Sequence, residues 1–286
     1  MRKLIVIWTC LLFTIPCEAD TFIVDPNGFE DFNNIQDAIN YSWHGDTVIV
    51  RPGTYNENIY FNGRAITLTS ENPNDPNVVD STIITANSGY SVTFDFGENS
   101  DSVLAGFTIT GRGIYCYASS PTIKNNIIRD CDNYGISGGQ GAAPIISDNS
   151  ISNIFSAGIF NCHGPINNNI VSGNRRGISE CDGSITYNKI ANNAYGGAGA
   201  GLYDCDGTIA NNIILGNEVT SGSGGGGGGL SNCNGNIINN IISGNKAVTG
   251  GGGLSDCTNV FNNTIVGNIA NTGAALSGCD FISNTS

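Results

Sequence analysis

From residue 113 onward, apolar and polar positions recur in one fixed order. A Gly-Ile or Gly-Leu pair opens each unit: Gly113-Ile114, Gly135-Ile136, Gly158-Ile159, Gly177-Ile178, Gly201-Leu202, Gly229-Leu230 and Gly253-Leu254, with Ala275-Leu276 starting an eighth. The spacing runs from 19 to 28 residues. Inside each unit sits branched-x-x-Asn-x-branched. Its first column is Ile123, Ile146, Ile166, Ile185, Ile209, Ile237 and Val260, and its closing column is Ile128, Ile151, Val171, Ile190, Ile214, Ile242 and Ile265. Between them stand Asn126, Asn149, Asn169, Asn188, Asn212, Asn240 and Asn263, and five units add Asn174, Asn193, Asn217, Asn245 or Asn268.

Short β-branched segments broken by Asn and Gly favour strands, and no unit holds an apolar helical period. One unit cannot bury its own branched side chains, so neighbours must stack. Stacking at about 4.8 Å per coil sets Ile on Ile inside and lets corner asparagines bond from coil to coil. Those asparagines would also take the left-handed backbone of a sharp corner. A leucine-rich repeat shares this period, but residues 113–286 contain only five leucines. The expected fold is therefore all-β, a right-handed parallel β-helix solenoid. Upstream, Phe22-Ile23-Val24, Gly45-Asp46-Thr47-Val48-Ile49-Val50 and Ile66-Thr67-Leu68 read as strands. Asp31 to Trp43, with Ile35, Ala38 and Ile39 on one face, reads as a short helix capping the open end.

Arg2 and Lys3, the apolar run Leu4 to Pro16 and the small residues to Ala19 read as a signal peptide over 1–19. Residues 20–286 then form a single domain: cap and irregular first coils over 20–112, regular repeats over 113–286. A lipid anchor at Cys17 competes, though Pro16 suits it badly. The apolar run is too short to span a bilayer. The chain is thus expected to be secreted or held at the cell surface, with eight cysteines beyond residue 19 in a disulfide-permissive compartment. A net charge of −13 excludes nucleic acid and anionic lipid as natural partners. Phe281 to Ser286 begins a further coil and stops, which reads as a truncated frame or an end covered by another chain.

The Gly-Ile-x-x-Cys and Ile-x-x-Asn-x-Ile units resemble the repeats of the pectin lyase-like superfamily, and residues 20–112 resemble its usual N-terminal opening. The resemblance implies the right-handed β-helix. It says little about activity, because that superfamily holds lyases, hydrolases, esterases, epimerases, adhesins and phage tailspikes. The Arg-x-Pro-x-x-Arg run of its pectate lyases is absent, as are the tandem aspartates and Arg-x-Lys of its polygalacturonases and the signatures of its esterases. Cys162-His163-Gly164 is only faintly similar to the polygalacturonase histidine motif.

Cysteine holds the fourth place after the opening glycine at Cys162, Cys181, Cys205, Cys233 and Cys257, and after Ala275 at Cys279. The readings are a buried apolar column, disulfides between adjacent coils, or a thiolate metal site, the last disfavoured because a straight column makes no tetrahedron. Beside the column, stacking gathers His163, Glu180, Asp182, Asp204 and Asp206 at one corner. Carboxylates one coil apart suit a glycosidase couple, with His163, Asp182 and Asp206 as catalytic groups. Glu180, Asp182, Asp204 and Asp206 equally suit Ca²⁺, the one cofactor the sequence suggests. Against both stands a solvated stripe in which Asp182-Gly183 and Asp206-Gly207 are turns. Tyr115, Phe160 and Tyr203, two after the opening glycine, should face outward as sugar platforms or lie half-buried under a loop. Arg175-Arg176 is the one dibasic pair beyond the signal peptide, a ligand contact or a structural loop. The runs 196–201, 222–229 and 250–253 read as flexible glycine-rich connections. Two functions fit: a non-catalytic extracellular protein that binds polysaccharide or builds a surface layer, and a polysaccharide lyase or glycoside hydrolase.

Overall fold

A computed structural model describes residues 18–221, 226–280 and 282–283. Most of the signal-peptide reading, and the end of the last coil, lie outside them. The described chain winds through four parallel sheets. Sheet I has twelve strands, from Thr21–Val24 to Ile282–Ser283; sheets II and III have ten each, opening with Gly53–Asn56 and Ile59–Tyr60. Sheet IV, which the sequence reading did not anticipate, stacks Ala194–Tyr195, Glu218–Val219, Lys246–Ala247 and Ile269–Ala270. No helix among the described residues is long and apolar enough to cross a membrane.

The columns stack in register. Ile123, Ile146, Ile166, Ile185, Ile209, Ile237 and Val260 pair successively along sheet I. Ile128, Ile151, Val171, Ile190, Ile214, Ile242 and Ile265 do so along sheet II. Ile114 through Leu276 form the matching row of sheet III. Every member of the sheet I column is buried. At about 25 cal/mol per Å² these branched side chains supply the main drive for stacking.

The corner between sheets I and II is an amide ladder. Asn169 Nδ2 donates to Asn188 Oδ1 at 3.0 Å, Asn188 to Asn212 at 3.1 Å and Asn212 to Asn240 at 3.0 Å. A second ladder links Asn193, Asn217, Asn245 and Asn268. The ladder asparagines do not themselves take the left-handed backbone. That falls one residue earlier, at Asn125, Asp148, Asn168, Tyr187, Asn211, Asn239 and Asn262, with φ from 51° to 58°. The exposed residue makes the bend, which frees the buried one for bonding.

The cap helix α1 spans Ile35–Tyr41, shorter than expected. Asn34 caps its start, Glu57 accepts the Ile35 and Gln36 amides at 3.0 Å, and Ser42 ends it in extended backbone. Its Ile35, Ala38 and Ile39 are buried in the core cluster, and α1 packs on the first strands of sheets I and III. A second helix, α2 (Pro76–Ser81), begins at Asp75-Pro76, a start signal the sequence reading passed over.

Candidate functional site

The corner between sheets III and I is set by backbone contact. A Cβ on Gly183, Gly207 or Gly235 would lie 1.9–2.1 Å from a carbonyl oxygen of the preceding coil. The glycine of each Asp-Gly pair is therefore required by close stacking rather than by turn conformation. The residue before each cysteine — Asn161, Glu180, Asp204, Asn232, Asp256 — is left-handed, with φ from 51° to 56°. The residue after it reaches forward to the next coil. Asp182 Oδ1 accepts the Asp206 amide at 3.1 Å, and Asp206 Oδ1 accepts that of Asn234 at 2.9 Å.

This geometry brings the five expected residues together. Asn161, His163, Glu180, Asp182, Asp204 and Asp206 line a polar hollow of about 240 Å³. His163 Nε2 lies 3.0 Å from Asn161 Oδ1, and Nδ1 lies 3.3 Å from Asp182 Oδ2. Asp182 and Asp206, however, each already hold a backbone N–H. Among the described residues, no three His, Cys, Asp or Glu side chains are arranged to hold a metal ion.

Along the outer face of sheet III aromatic and serine positions alternate coil by coil from Tyr115 to Ser231, after which serine repeats. In register along it run Tyr115, Ser137, Phe160, Ser179, Tyr203, Ser231 and Ser255. Tyr115, Phe160 and Tyr203 are half-buried, because each meets a partner from a neighbouring coil. Tyr115 stacks on Tyr90 with centroids 4.7 Å apart, Phe160 stacks on Tyr134 at 4.4 Å, and the Arg176 guanidinium lies 4.3 Å from the Tyr203 ring and 4.4 Å from Tyr195. Partners on successive coils turn their ring faces along the solenoid axis, so these aromatics are not outward-facing platforms. Tyr90, Tyr134 and Tyr195 precede the strand motif and escaped the sequence reading.

Between two such groups lies a slot of about 230 Å³, lined by Tyr134, Ser156, Ala157, Phe160, Arg176, Ser179, Glu180 and Tyr195. Arg176 is tied into its wall: Nη2 donates to Ala198 O at 2.8 Å, Nε to Gly199 O at 3.1 Å and Nη1 to Ser179 Oγ at 3.4 Å. Burial pulls its pKa below the usual guanidinium value. Arg175 lies between the rings of Phe155 at 5.2 Å and Tyr195 at 5.4 Å, and borders a shallower groove of about 520 Å³ shared with Asp130 and Asp132. Glu180 borders both the slot and the acidic hollow, and its carboxylate takes no hydrogen bond among the described residues.

The glycine-rich runs are not loose connections where described. Gly199 abuts Tyr203, Gly226 and Gly250 abut Ser231 and Ser255, and a Cβ on Gly227 or Gly251 would meet backbone at 1.6–1.7 Å. They roof the later coils of sheet III over Ser231 and Ser255, whereas beside Phe160 the slot remains.

A family profile described as "Right handed beta helix region" matches residues 27–175. Among solved structures, the crystal structure of pectate lyase Pel9A is similar with a TM-score of 0.52 and 15% identity, covering 93% of this chain and 79% of that one. No curated protein sequence matches the chain.

Proposed function

The chain belongs to the right-handed β-helix family, and from that scaffold we propose an exported, non-catalytic protein that binds neutral polysaccharide across the outer face of sheet III. The observation that carries this reading is the slot between the Tyr134–Phe160 stack and the Arg176–Tyr195 wall. A pyranose ring entering edge-on would lay its C–H face on Phe160. Its hydroxyls would meet the unengaged Glu180 carboxylate at the edge of the slot. Tyr115 and Tyr203 carry the same motif two coils to either side, at about 9.6 Å, twice the strand spacing. The acidic balance of the chain favours an uncharged glycan, since Arg176 already spends its donors on the protein. The name of the pectate lyase neighbour points to the same broad ligand class. Catalysis at His163, Asp182 and Asp206 fits less well, because both aspartates bond backbone amides and the hollow is open to water.

The test is retention of the protein on insoluble neutral and acidic polysaccharides, with and without Ca²⁺, while new reducing and unsaturated ends are assayed. Phe160→Ser is the diagnostic variant, because serine already occupies this row at 137 and 179. Binding to neutral glycan without new ends is expected. Phe160→Ser should weaken it about tenfold, near 1.4 kcal/mol, in protein that stays folded at the assay temperature. New chain ends would move the protein to the lyase or hydrolase reading, and unchanged affinity in Phe160→Ser would remove the slot from the binding site.

A further inference from the structure

The cysteine column makes the same contact in every coil. Each sulfur points at the carbonyl two residues before it: Cys162 to Phe160 O at 3.4 Å, Cys181 to Ser179 O at 3.2 Å, Cys205 to Tyr203 O at 3.3 Å, Cys233 to Ser231 O at 3.4 Å, Cys257 to Ser255 O at 3.2 Å and Cys279 to Ser277 O at 3.4 Å. Six thiols with one orientation on successive coils form a continuous file of sulfur. Equivalent backbones sit about 4.8 Å apart, inside the Cα separation of about 4.4–6.8 Å that a disulfide spans. All six are free thiols here, and all but Cys279 are buried.

We propose that this file is an oxidation site at which three disulfides, Cys162–Cys181, Cys205–Cys233 and Cys257–Cys279, staple the coils in pairs. The phase follows from where the file starts. In the preceding coil buried Ala142 holds the cysteine position, its carbonyl taking the His163 amide at 2.9 Å, just as the Cys233 carbonyl takes that of Thr258. Cys162 therefore has a thiol neighbour on one side only. The Cys181 sulfur also accepts the Cys162 amide at 3.4 Å, so it already leans toward that coil. Cys233 lies in side-chain contact with both Cys205 and Cys257, and Cys257 also contacts Cys279, so the sulfurs are within reach all along the file and the phase is set by where it starts. Pairing in the other phase strands Cys162.

The chemistry is thiol–disulfide exchange with a small-molecule disulfide. One thiolate attacks the reagent and expels a thiol. The neighbouring thiolate then attacks the mixed disulfide, forming the Cys–Cys bond and releasing the second thiol. Two protons and two electrons leave the protein for each bond, and the reagent is reduced to two thiols. Burial raises the pKa of the Cys162 and Cys181 thiols. The exchange therefore belongs to the folding chain, before the coils close over the sulfurs. Cys116 and Cys131 stand outside the file and should stay reduced.

The full chain is refolded from denaturant in a reduced and oxidised glutathione buffer, alkylated, and mapped by peptide mass spectrometry, with the reduced protein as reference. Six thiols should disappear, with the three named peptide pairs linked. Cys205→Ser/Cys233→Ser should lose four thiols and keep the other two links. An unchanged thiol count, or links Cys181–Cys205 and Cys233–Cys257 in place of those named, would overturn the proposal.

Discussion

Replacing Asn212 by alanine isolates what one rung of the buried ladder contributes. Its Oδ1 accepts both the Asn188 backbone amide at 2.8 Å and Asn188 Nδ2 at 3.1 Å, while its Nδ2 donates to Ile185 O at 2.8 Å and Asn240 Oδ1 at 3.0 Å. Most partners keep an alternative after truncation. Asn188 Nδ2 still bonds Ile166 O and Thr186 O, and Asn240 Oδ1 still accepts the Asn212 amide. The Asn188 amide does not, and a buried N–H without a partner costs about 1–3 kcal/mol. The cavity left by the carboxamide brings the loss to about 2–4 kcal/mol. With an unfolding entropy of about 2.1 cal/mol/K per residue over the roughly 260 folded residues, the melting temperature should fall by about 4–7 °C. Solenoids open coil by coil. Hydrogen exchange should therefore show the Asn188 amide losing protection before amides near α1. A drop under 2 °C with Asn188 still protected would mean the ladder is decoration on the Ile columns.

Tyr187 is an aromatic residue at φ 58° where the other six coils carry Asn or Asp. Tyr187→Asn should stabilise the protein by about 1 kcal/mol, read as a higher urea midpoint, and a lower midpoint would refute the corner argument. Burial, helped by Asp130 and Asp132, pushes the Cys131 thiol up to about 12. The folded pKa lies above the unfolded one, so this stability is whole below about pH 8.5 and drains as pH rises toward 12, by about 1.4 kcal/mol per unit. Between pH 8.5 and 10.5 the reduced protein should thus lose about 2–3 kcal/mol more than Cys131→Ala, by urea titration; equal losses would contradict it.

The inner columns were legible because stacking repeats each residue's surroundings, so Ile185 over Ile166 appears in sequence as in space. The corner carrying His163, Glu180, Asp182, Asp204 and Asp206 was legible for the same reason. What escaped was coupling between different places in neighbouring coils. Tyr134 meets Phe160, and Arg176 meets Tyr195, through contacts that no fixed spacing announces. Glu98 is similar: buried, it accepts the Gly63 and Phe96 amides and the Ser119 hydroxyl, joining three irregular early turns. Nothing in its local sequence distinguishes it from a surface glutamate.

The alternation of aromatic and serine along sheet III gives the molecule two different grammars of length. Inside, every coil offers its successor the same Ile and Asn surfaces, so a gene that gained or lost one whole repeat would still close its core. Outside, the phase is binary: deleting the coil between Phe160 and Tyr203 would bring ring-bearing positions one coil apart and remove the slot together with Arg176, Ser179 and Glu180. Duplication in pairs preserves both. Growth of such a chain is free for the scaffold and quantised for its surface, and odd insertions are where the two would part company.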